Sequence, residues 1–195
     1  AGTPGRPLSP AQAWGLRYIP ARVVPHTAGE VDREGTMSHP DGLFSWADVA
    51  QIDPRAGAGF YRAVFGWQAT QASPDESMPD WMFAKYGKNV AGMGVLSPDQ
   101  QAQGIPPKWS SYINVDDVDD TAARAKDLGA TIVMEPMQIF TSGKMAFIQD
   151  PQGAMVGLWQ AGDHLGADEF NTPGFMCWNE LGTRDLAGSV AFYTA

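Results

Sequence analysis

The side chains best suited to chemistry in this sequence are a carboxylate and a phenol on two predicted strands, Asp48 and Tyr112. An inward-facing carboxylate needs a partner, and a phenol can donate a hydrogen bond to it. Together they are weak candidates for an acid–base pair that would work without a metal. The alternative is structural, with Asp48 held by a hydrogen bond to a nearby Trp or Tyr. Both interpretations remain open, so the catalytic residues are unknown.

Asp48 belongs to a pattern that recurs along the chain. Residues 45–61 match residues 177–193 at an offset of 132, with Trp, Asp, Phe and Tyr in register and Glu180 at the position of Asp48. A weaker copy lies at an offset of 63 from the first. A pattern that repeats at this spacing predicts repeated supersecondary units.

Each copy predicts a strand followed by a helix. Asp53 and Asp116 precede amphipathic segments, where a carboxylate can accept from free backbone N–H groups. Gly66 and Gly129 follow those segments, as expected of glycines that end helices in a left-handed conformation. Three shorter strands come next, so each unit is predicted to be β-α-β-β-β. We expect the buried side of the first helix to consist of Phe60, Tyr61, Val64 and Phe65.

The units divide the chain into predicted segments. These are a flexible leader or non-native segment (1–36), a domain (37–161) with units at 43–96 and 108–160, a linker (162–173), and the start of a second, truncated domain (174–195). A strand and a partial helix cannot bury their own apolar faces. We therefore interpret the chain as truncated, or expect its last segment to dock on the first domain or on a partner, with a homodimer as one arrangement.

Charge and composition disfavour several classes of partner. Lys and Arg number 13 against 22 Asp and Glu, a net charge of −9, which disfavours nucleic acid and anionic membrane surfaces. No apolar run approaches the length of a transmembrane helix, and a soluble, cytoplasmic protein is expected. Cys177 is the only cysteine, which rules out an internal disulfide, and its apolar neighbours predict a buried thiol.

Three stretches resemble one known family. They are Asp53 with Phe60-Tyr61 and Phe65-Gly66-Trp67, then residues 112–119, then residues 145–153. They are similar to the vicinal oxygen chelate (glyoxalase/bleomycin resistance/dioxygenase) superfamily, and particularly to tandem-module members such as a mycobacterial glyoxalase-fold antigen. The resemblance implies an α+β fold in which paired βαβββ units form a curled mixed sheet with helices outside.

The resemblance also implies a metal site whose ligands are missing. The positions that hold His or Glu in the family's metalloenzymes correspond to Trp46, a residue near Ser110, Gly157, and a strand without donor side chains from Val90 onward. An indole cannot ligate a metal. His26, His39 and His164 lie outside the units and are expected to be solvated. We therefore expect no cofactor, and no divalent metal within residues 43–161.

The implied cup has an inner face of alternating residues. The expected ligand-binding residues are Trp46, Asp48, Met93, Ser110, Tyr112, Asn114, Met155 and Trp159. Such a lining suits a small apolar or aromatic molecule, although the same side chains can simply fill a core. The favoured function is metal-independent small-molecule binding for resistance or sequestration. The alternatives are a lyase or oxidoreductase of the glyoxalase or dioxygenase type, with its site mainly in a C-terminal half beyond this sequence, and an interaction module.

Overall fold

The computed structural model describes residues 30–31, 37–72 and 80–195. The strands are β1 (Glu30–Val31), β2 (Met37–Ser38), β3 (Phe44–Gln51), β4 (Gln68–Gln71), β5 (Asp80–Lys85), β6 (Lys88–Val95), β7 (Lys108–Asn114), β8 (Thr131–Ile139), β9 (Gly143–Gln149) and β10 (Met155–Ala161). The helices are α1 (Pro54–Phe65), α2 (Pro98–Ala102), α3 (Val118–Asp127) and α4 (Leu186–Tyr193).

Strands β3 to β10 form one mixed sheet in the order β4-β5-β6-β3-β7-β10-β9-β8. Within each unit the first and last strands are parallel, β3 with β6 and β7 with β10, whereas β3 and β7 join the units antiparallel. Helices α1 and α3 pack on one face, here called the outer face. The opposite face is the inner face of the cup. The predicted α+β fold, with paired βαβββ units in a curled sheet and helices outside, is confirmed.

The predicted helix signals are largely correct. Asp53 caps α1 by accepting from the N–H groups of Arg55 and Ala56 at 2.9 and 3.0 Å. Gly66 ends α1 with φ of 72°. The prediction that Asp116 caps the second helix is wrong, because the N-cap of α3 is Asp117. The Asp116 N–H is instead bonded to the carboxylate of Asp41, so the chain stays extended for one more residue.

The buried side of α1 is narrower than predicted. Tyr61 is buried, but Phe60, Val64 and Phe65 are exposed, which corrects the predicted set. The contact with the sheet is made partly through Gly57, where an added Cβ would lie 3.0 Å from the Sδ atom of Met93. Because α1 lies this close to the sheet, a single aromatic side chain, Tyr61, fills the interface between them.

The C-terminal segment differs most from its prediction. No strand forms over residues 177–181, because the central strands of the sheet are already paired on both sides. Asp185 caps α4 as its repeat position predicts, accepting from the Gly188 N–H at 3.0 Å. Phe192 packs against the core beneath α3. Cys177 is exposed, contrary to expectation, since its segment lies on the surface.

Few of the residues in the predicted leader can be described. Glu30–Val31 pairs antiparallel with Met37–Ser38, and most of residues 1–36 lie outside the described part of the chain. Over the ranges that the structure describes, no helix has both the length and the apolar character needed to cross a lipid bilayer. The segment boundaries proposed from the sequence remain predictions.

Candidate functional site

Asp48 and Tyr112 form the polar centre of the cup. Because β3 and β7 run antiparallel, Asp48 lies opposite Ser110, and Trp46 lies opposite Tyr112. The Tyr112 hydroxyl donates to Oδ2 of Asp48 at 2.5 Å. The ring of Tyr112 lies across β10 at Gly157, where an added Cβ would come within 2.2 Å of a ring carbon. Only a residue without a side chain leaves room for the ring in this position.

The local electrostatics keep Tyr112 as the donor. Burial raises the pKa of Asp48 to about 6, against the opposing hydrogen bond from Tyr112, and the charge of Asp80 raises it further. Burial and the neighbouring Asp48 raise the pKa of Tyr112 far above its ordinary value. At neutral pH the pair is therefore a carboxylate and a protonated phenol. Asp80 was missed by the sequence analysis, although its position two residues before Met82 on β5 gives it the same face of the strand.

Aromatic and sulfur-containing side chains surround this pair. The buried residues Trp46, Tyr112 and Trp159 form a cluster. Half-buried hydrophobic residues pack around it, namely Met82, Ile139, Met145, Phe147, Ala161 and Phe170. A Cβ at Gly92 would lie 3.2 Å from the Cβ of Asp48 and 3.4 Å from the Trp46 indole, so a glycine here lets these two side chains lie close against β6. The result is a largely apolar inner face with one polar pair.

Residues 162–170, here called the strap, cover this face. The ring of His164 stands edge-on to Trp46, with ring centres 4.5 Å apart, and also to Trp159 at 5.8 Å. Its Nε2 atom is buried and has no hydrogen-bond partner within the described part of the protein. The Ala167 N–H donates to the Ser45 carbonyl at 2.8 Å, and the Asp168 N–H donates to the Asn89 carbonyl at 3.0 Å.

Two of the three histidines that were predicted to be solvated are partly or fully buried. His164 is half-buried rather than solvated, and burial lowers its pKa. His39 is buried, because the loop that carries it is held by Asn114. His26 lies outside the described residues. Little in the sequence predicts the strap, because that segment matches no part of the repeat.

Four predicted ligand-binding residues meet in the cup. Trp46, Asp48, Tyr112 and Trp159 are in contact or in one cluster. Ser110 is half-buried opposite Asp48, so the strand register brings it to the same place.

Three other predicted residues lie elsewhere. Met93 points to the outer face and packs beneath α1, because Gly92 is the residue that pairs with Asp48. The side chain of Asn114 donates to the carbonyl of His39 at 2.8 Å and so fixes a loop. Met155 is 41% exposed at the rim, where its Sδ atom is 3.5 Å from the amino group of Lys108.

The residues of the cup do not fit a divalent metal of the family type. The positions concerned present an indole at Trp46, a hydroxyl at Ser110 and bare backbone at Gly92 and Gly157, and the phenol of Tyr112 beside them is kept protonated. Across residues 30–31, 37–72 and 80–195, no group of three or more His, Cys, Asp or Glu side chains is arranged to hold an ion. The expected independence from metal stays a prediction.

Comparison with known proteins agrees with this architecture. The profile of the Glyoxalase/Bleomycin resistance protein/Dioxygenase superfamily matches residues 44–158. The chain belongs to this superfamily. CFP32 of Mycobacterium tuberculosis, which is named as a candidate glyoxylase, is 37% identical over 159 residues, covering 79% of this chain and 59% of that protein. The anthracycline biosynthesis protein DauV of Streptomyces sp. strain C5 is 32% identical over 164 residues, covering 79% of this chain and 60% of that protein.

This superfamily member therefore spans about three fifths of the length of those relatives. A solved variant of Streptomyces coelicolor methylmalonyl-CoA epimerase, in complex with 2-nitronate-propionyl-CoA, is 18% identical with a TM-score of 0.49 and covers 65% of this chain and 99% of that one. BH1468 from Bacillus halodurans is 12% identical with a TM-score of 0.49 and covers 64% and 98%. These likenesses concern the fold alone.

Proposed function

We propose that the cup binds a small, mostly apolar or aromatic molecule without a metal ion, in a role of resistance or sequestration. The observation that carries this proposal is the Asp48–Tyr112 hydrogen bond set among buried aromatic rings. Pockets for small molecules commonly combine an apolar wall with a few polar groups that fix orientation. We further expect the protein to act in the cytoplasm.

The polar pair would orient the guest. Asp48 is half-buried and has one hydrogen-bond donor, Tyr112, so its carboxylate can accept another from a hydroxyl or amine of the guest. Such a bond is stronger inside a protein than in water, because the surroundings screen charge less. The rings of Trp46 and Trp159 would stack with a planar guest.

Binding would require the strap to move. The imidazole of His164 lies against Trp46 and Trp159, where an aromatic guest would make its contacts. Its buried Nε2 lacks a hydrogen-bond partner among the described residues, which makes this contact less favourable than a fully satisfied one. A guest that fills the same place without stranding a polar atom would therefore compete well. A relative named for anthracycline biosynthesis is consistent with a planar guest of fused rings.

The second candidate is an enzyme of the glyoxalase or dioxygenase type. It is favoured by the name of CFP32 and by the length that this chain does not cover, where the main part of a catalytic site would lie. Within this chain, a carboxyl with pKa near 6 is also suited to proton transfer near neutral pH. An activity of this chain that is lost in Asp48→Asn would favour the enzyme over the binding protein.

The test is calorimetric titration with 1,4-dihydroxyanthraquinone as a planar probe, with and without EDTA. We expect binding that EDTA leaves unchanged and that Trp46→Ala and Tyr112→Phe each weaken at least about tenfold. Trp178→Ala is the matched control, since Trp178 is exposed and outside the cup. Unchanged binding in both cup variants would refute the proposal. Stoichiometric binding of Zn²⁺, Ni²⁺ or Mn²⁺ by residues of the cup would overturn its metal-free part.

A further inference from the structure

The outer face of the sheet has a gap between its two long helices. Helix α1 contacts β4 and β6, and α3 contacts β8, β9 and β10. The outer side of the middle strand β7 lies between them and carries Trp109, Ser111 and Ile113. Neither α1 nor α3 packs along this apolar strip of the sheet.

The C-terminal segment bridges this strip. The Ser111 hydroxyl donates to Oδ1 of Asn179 at 2.6 Å on one side. On the other side the Tyr193 hydroxyl donates to Oδ2 of Asp150 at 3.0 Å, and Asp150 is buried. These anchors hold α4 and residues 179–183 over the sheet.

A cavity remains between the bridge and the sheet. Its volume is about 630 Å³. From the sheet side it is lined by Phe44, Trp109, Ser111, Ile113, Met155 and Val156, and from the bridge by Asn179, Glu180, Leu181, Thr183, Leu186 and Val190. Trp109, Leu186 and Val190 keep 42%, 46% and 47% of their surface exposed. One part of the Trp109 ring packs against Tyr61 and Trp67, at 5.4 and 6.2 Å between ring centres. The exposed parts of these three side chains lack the packing that normally fills such an interface.

We propose that this outer cavity is a binding site for an apolar small molecule that is neutral or carries an amine. The volume lies within the range of pockets for small organic ligands, which is roughly 300–1,000 Å³. Aromatic and aliphatic walls supply the burial, and the hydroxyls of Ser111 and Thr183 supply hydrogen bonds.

The charge of the lining selects among such ligands. Glu180 contributes a carboxylate to the lining, whereas no Lys, Arg or His is among the described lining residues, and the amino group of Lys108 lies outside the lining at 3.5 Å from the Sδ atom of Met155. A carboxylate or phosphate ligand would lose hydration without gaining a cationic partner from the lining. An amine would gain the attraction of Glu180.

This site is separate from the proposed site in the cup. Consecutive residues of a strand point to opposite faces. Tyr112 therefore points into the cup, while Ser111 and Ile113 point into the outer cavity. The two sites can be perturbed one at a time, and the second does not depend on the first.

The test uses three anthracene probes with the same rings: 9-anthracenemethanol, 9-aminomethylanthracene and 9-anthracenecarboxylate. Each is titrated into the full chain and followed by its fluorescence. We expect the alcohol and the amine to bind, the amine more tightly, and the carboxylate to bind at least about tenfold more weakly. Val190→Trp should fill the cavity and weaken binding of the alcohol about tenfold or more, and Glu180→Gln should remove the advantage of the amine over the alcohol.

The controls separate this proposal from its alternatives. Val64→Trp makes the same change at an exposed position of α1 away from the cavity and should leave binding intact. Leu186→Phe is the second cavity-filling variant if Val190→Trp does not fold.

Three results would overturn the proposal. The first is equal binding in wild type and in both cavity-filling variants. The second is loss of anthracene binding in Asp48→Asn, which would place the probe in the cup. The third is no probe binding together with a dimer, seen by analytical ultracentrifugation, that Val190→Trp abolishes, because the cavity would then be part of an interface between two chains.

Discussion

Replacing Gly157 by alanine is the sharpest test of how the cup is built. The new Cβ would lie 2.2 Å and 2.5 Å from two ring carbons of Tyr112, too close for any real contact. Neither neighbour can yield easily, because Gly157 is paired with both β7 and β9 and the Tyr112 ring is buried. The ring must therefore leave its position and give up the hydrogen bond to Asp48.

The size of the effect follows from these two losses. Forcing an extra carbon into a well-packed interior costs about 1–3 kcal/mol. Losing a hydrogen bond to a charged group costs about 1.5–3 kcal/mol. We expect Gly157→Ala to lower the free energy of unfolding by at least about 2.5 kcal/mol. Since the bond from Tyr112 lowers the pKa of Asp48, that pKa should rise above its value of about 6 in the wild type.

Urea unfolding followed by tryptophan fluorescence measures the first effect, and ¹³C NMR titration of the carboxyl groups measures the second. Gly94→Ala is the matched control, because Gly94 is also a strand glycine and an added Cβ there meets nothing within 4 Å. It should change stability by less than about 0.5 kcal/mol. A Gly157→Ala protein as stable as this control, with an unchanged Asp48 pKa, would refute the packing argument.

Three further predictions concern single side chains. The pKa of Asp48 is raised from 3.8 to about 6, so its contribution to the free energy of unfolding falls as pH rises between those values. Asp48→Asn should remove this pH dependence and, in urea unfolding at pH 7.5, stabilise the protein by about 2 kcal/mol. Burial lowers the pKa of His164, although Asp168 opposes this and His39 reinforces it. The strap should therefore loosen as pH falls below 6.5, and amide exchange of Ala167, corrected for the intrinsic rate, should be faster at pH 5 than at pH 7.5 in wild type but not in His164→Phe. Cys177 is exposed, so Ellman's reagent should label one thiol in the native protein at a rate within about tenfold of the unfolded chain.

The fold was predictable because its signals are local and repeat. A carboxylate at Asp53 and a glycine at Gly66 each fix one end of α1 through backbone geometry that needs no distant partner. The same signals one repeat later located α3 to within a residue. The strand predicted near 177–181 does not form for the opposite reason, since a strand needs an unpaired neighbour and the central strands of the sheet are already paired on both sides.

The positions of site residues could be predicted only where the alternation of side chains along a strand determines them. The placement of Trp46, Asp48 and Tyr112 follows from alternation along β3 and β7. The placement of Met93 in the cup was wrong because the face to which each β6 side chain points depends on how β6 pairs with β3. That pairing puts Gly92 beside Asp48. One residue of register reverses every side chain on a strand. No pattern within the sequence of β6 fixes this choice.

The strap shows why an aromatic inner face alone does not define an open pocket. Trp46 and Trp159 are buried in part because His164 covers them. From the sequence, such rings are assigned either to ligand binding or to core packing. Here Trp46 and Trp159 pack against His164, and a guest could take the place of that contact. The difference between these roles lies in the free energy of the strap contact. Nε2 of His164, which has no hydrogen-bond partner in the described parts of the chain, contributes unfavourably to it. If the strap is held weakly, ligand affinity should rise when it is loosened, so His164→Ala should bind 1,4-dihydroxyanthraquinone more tightly than wild type in the same titration. Weaker binding in His164→Ala would mean that His164 is a wall of the site instead of its competitor.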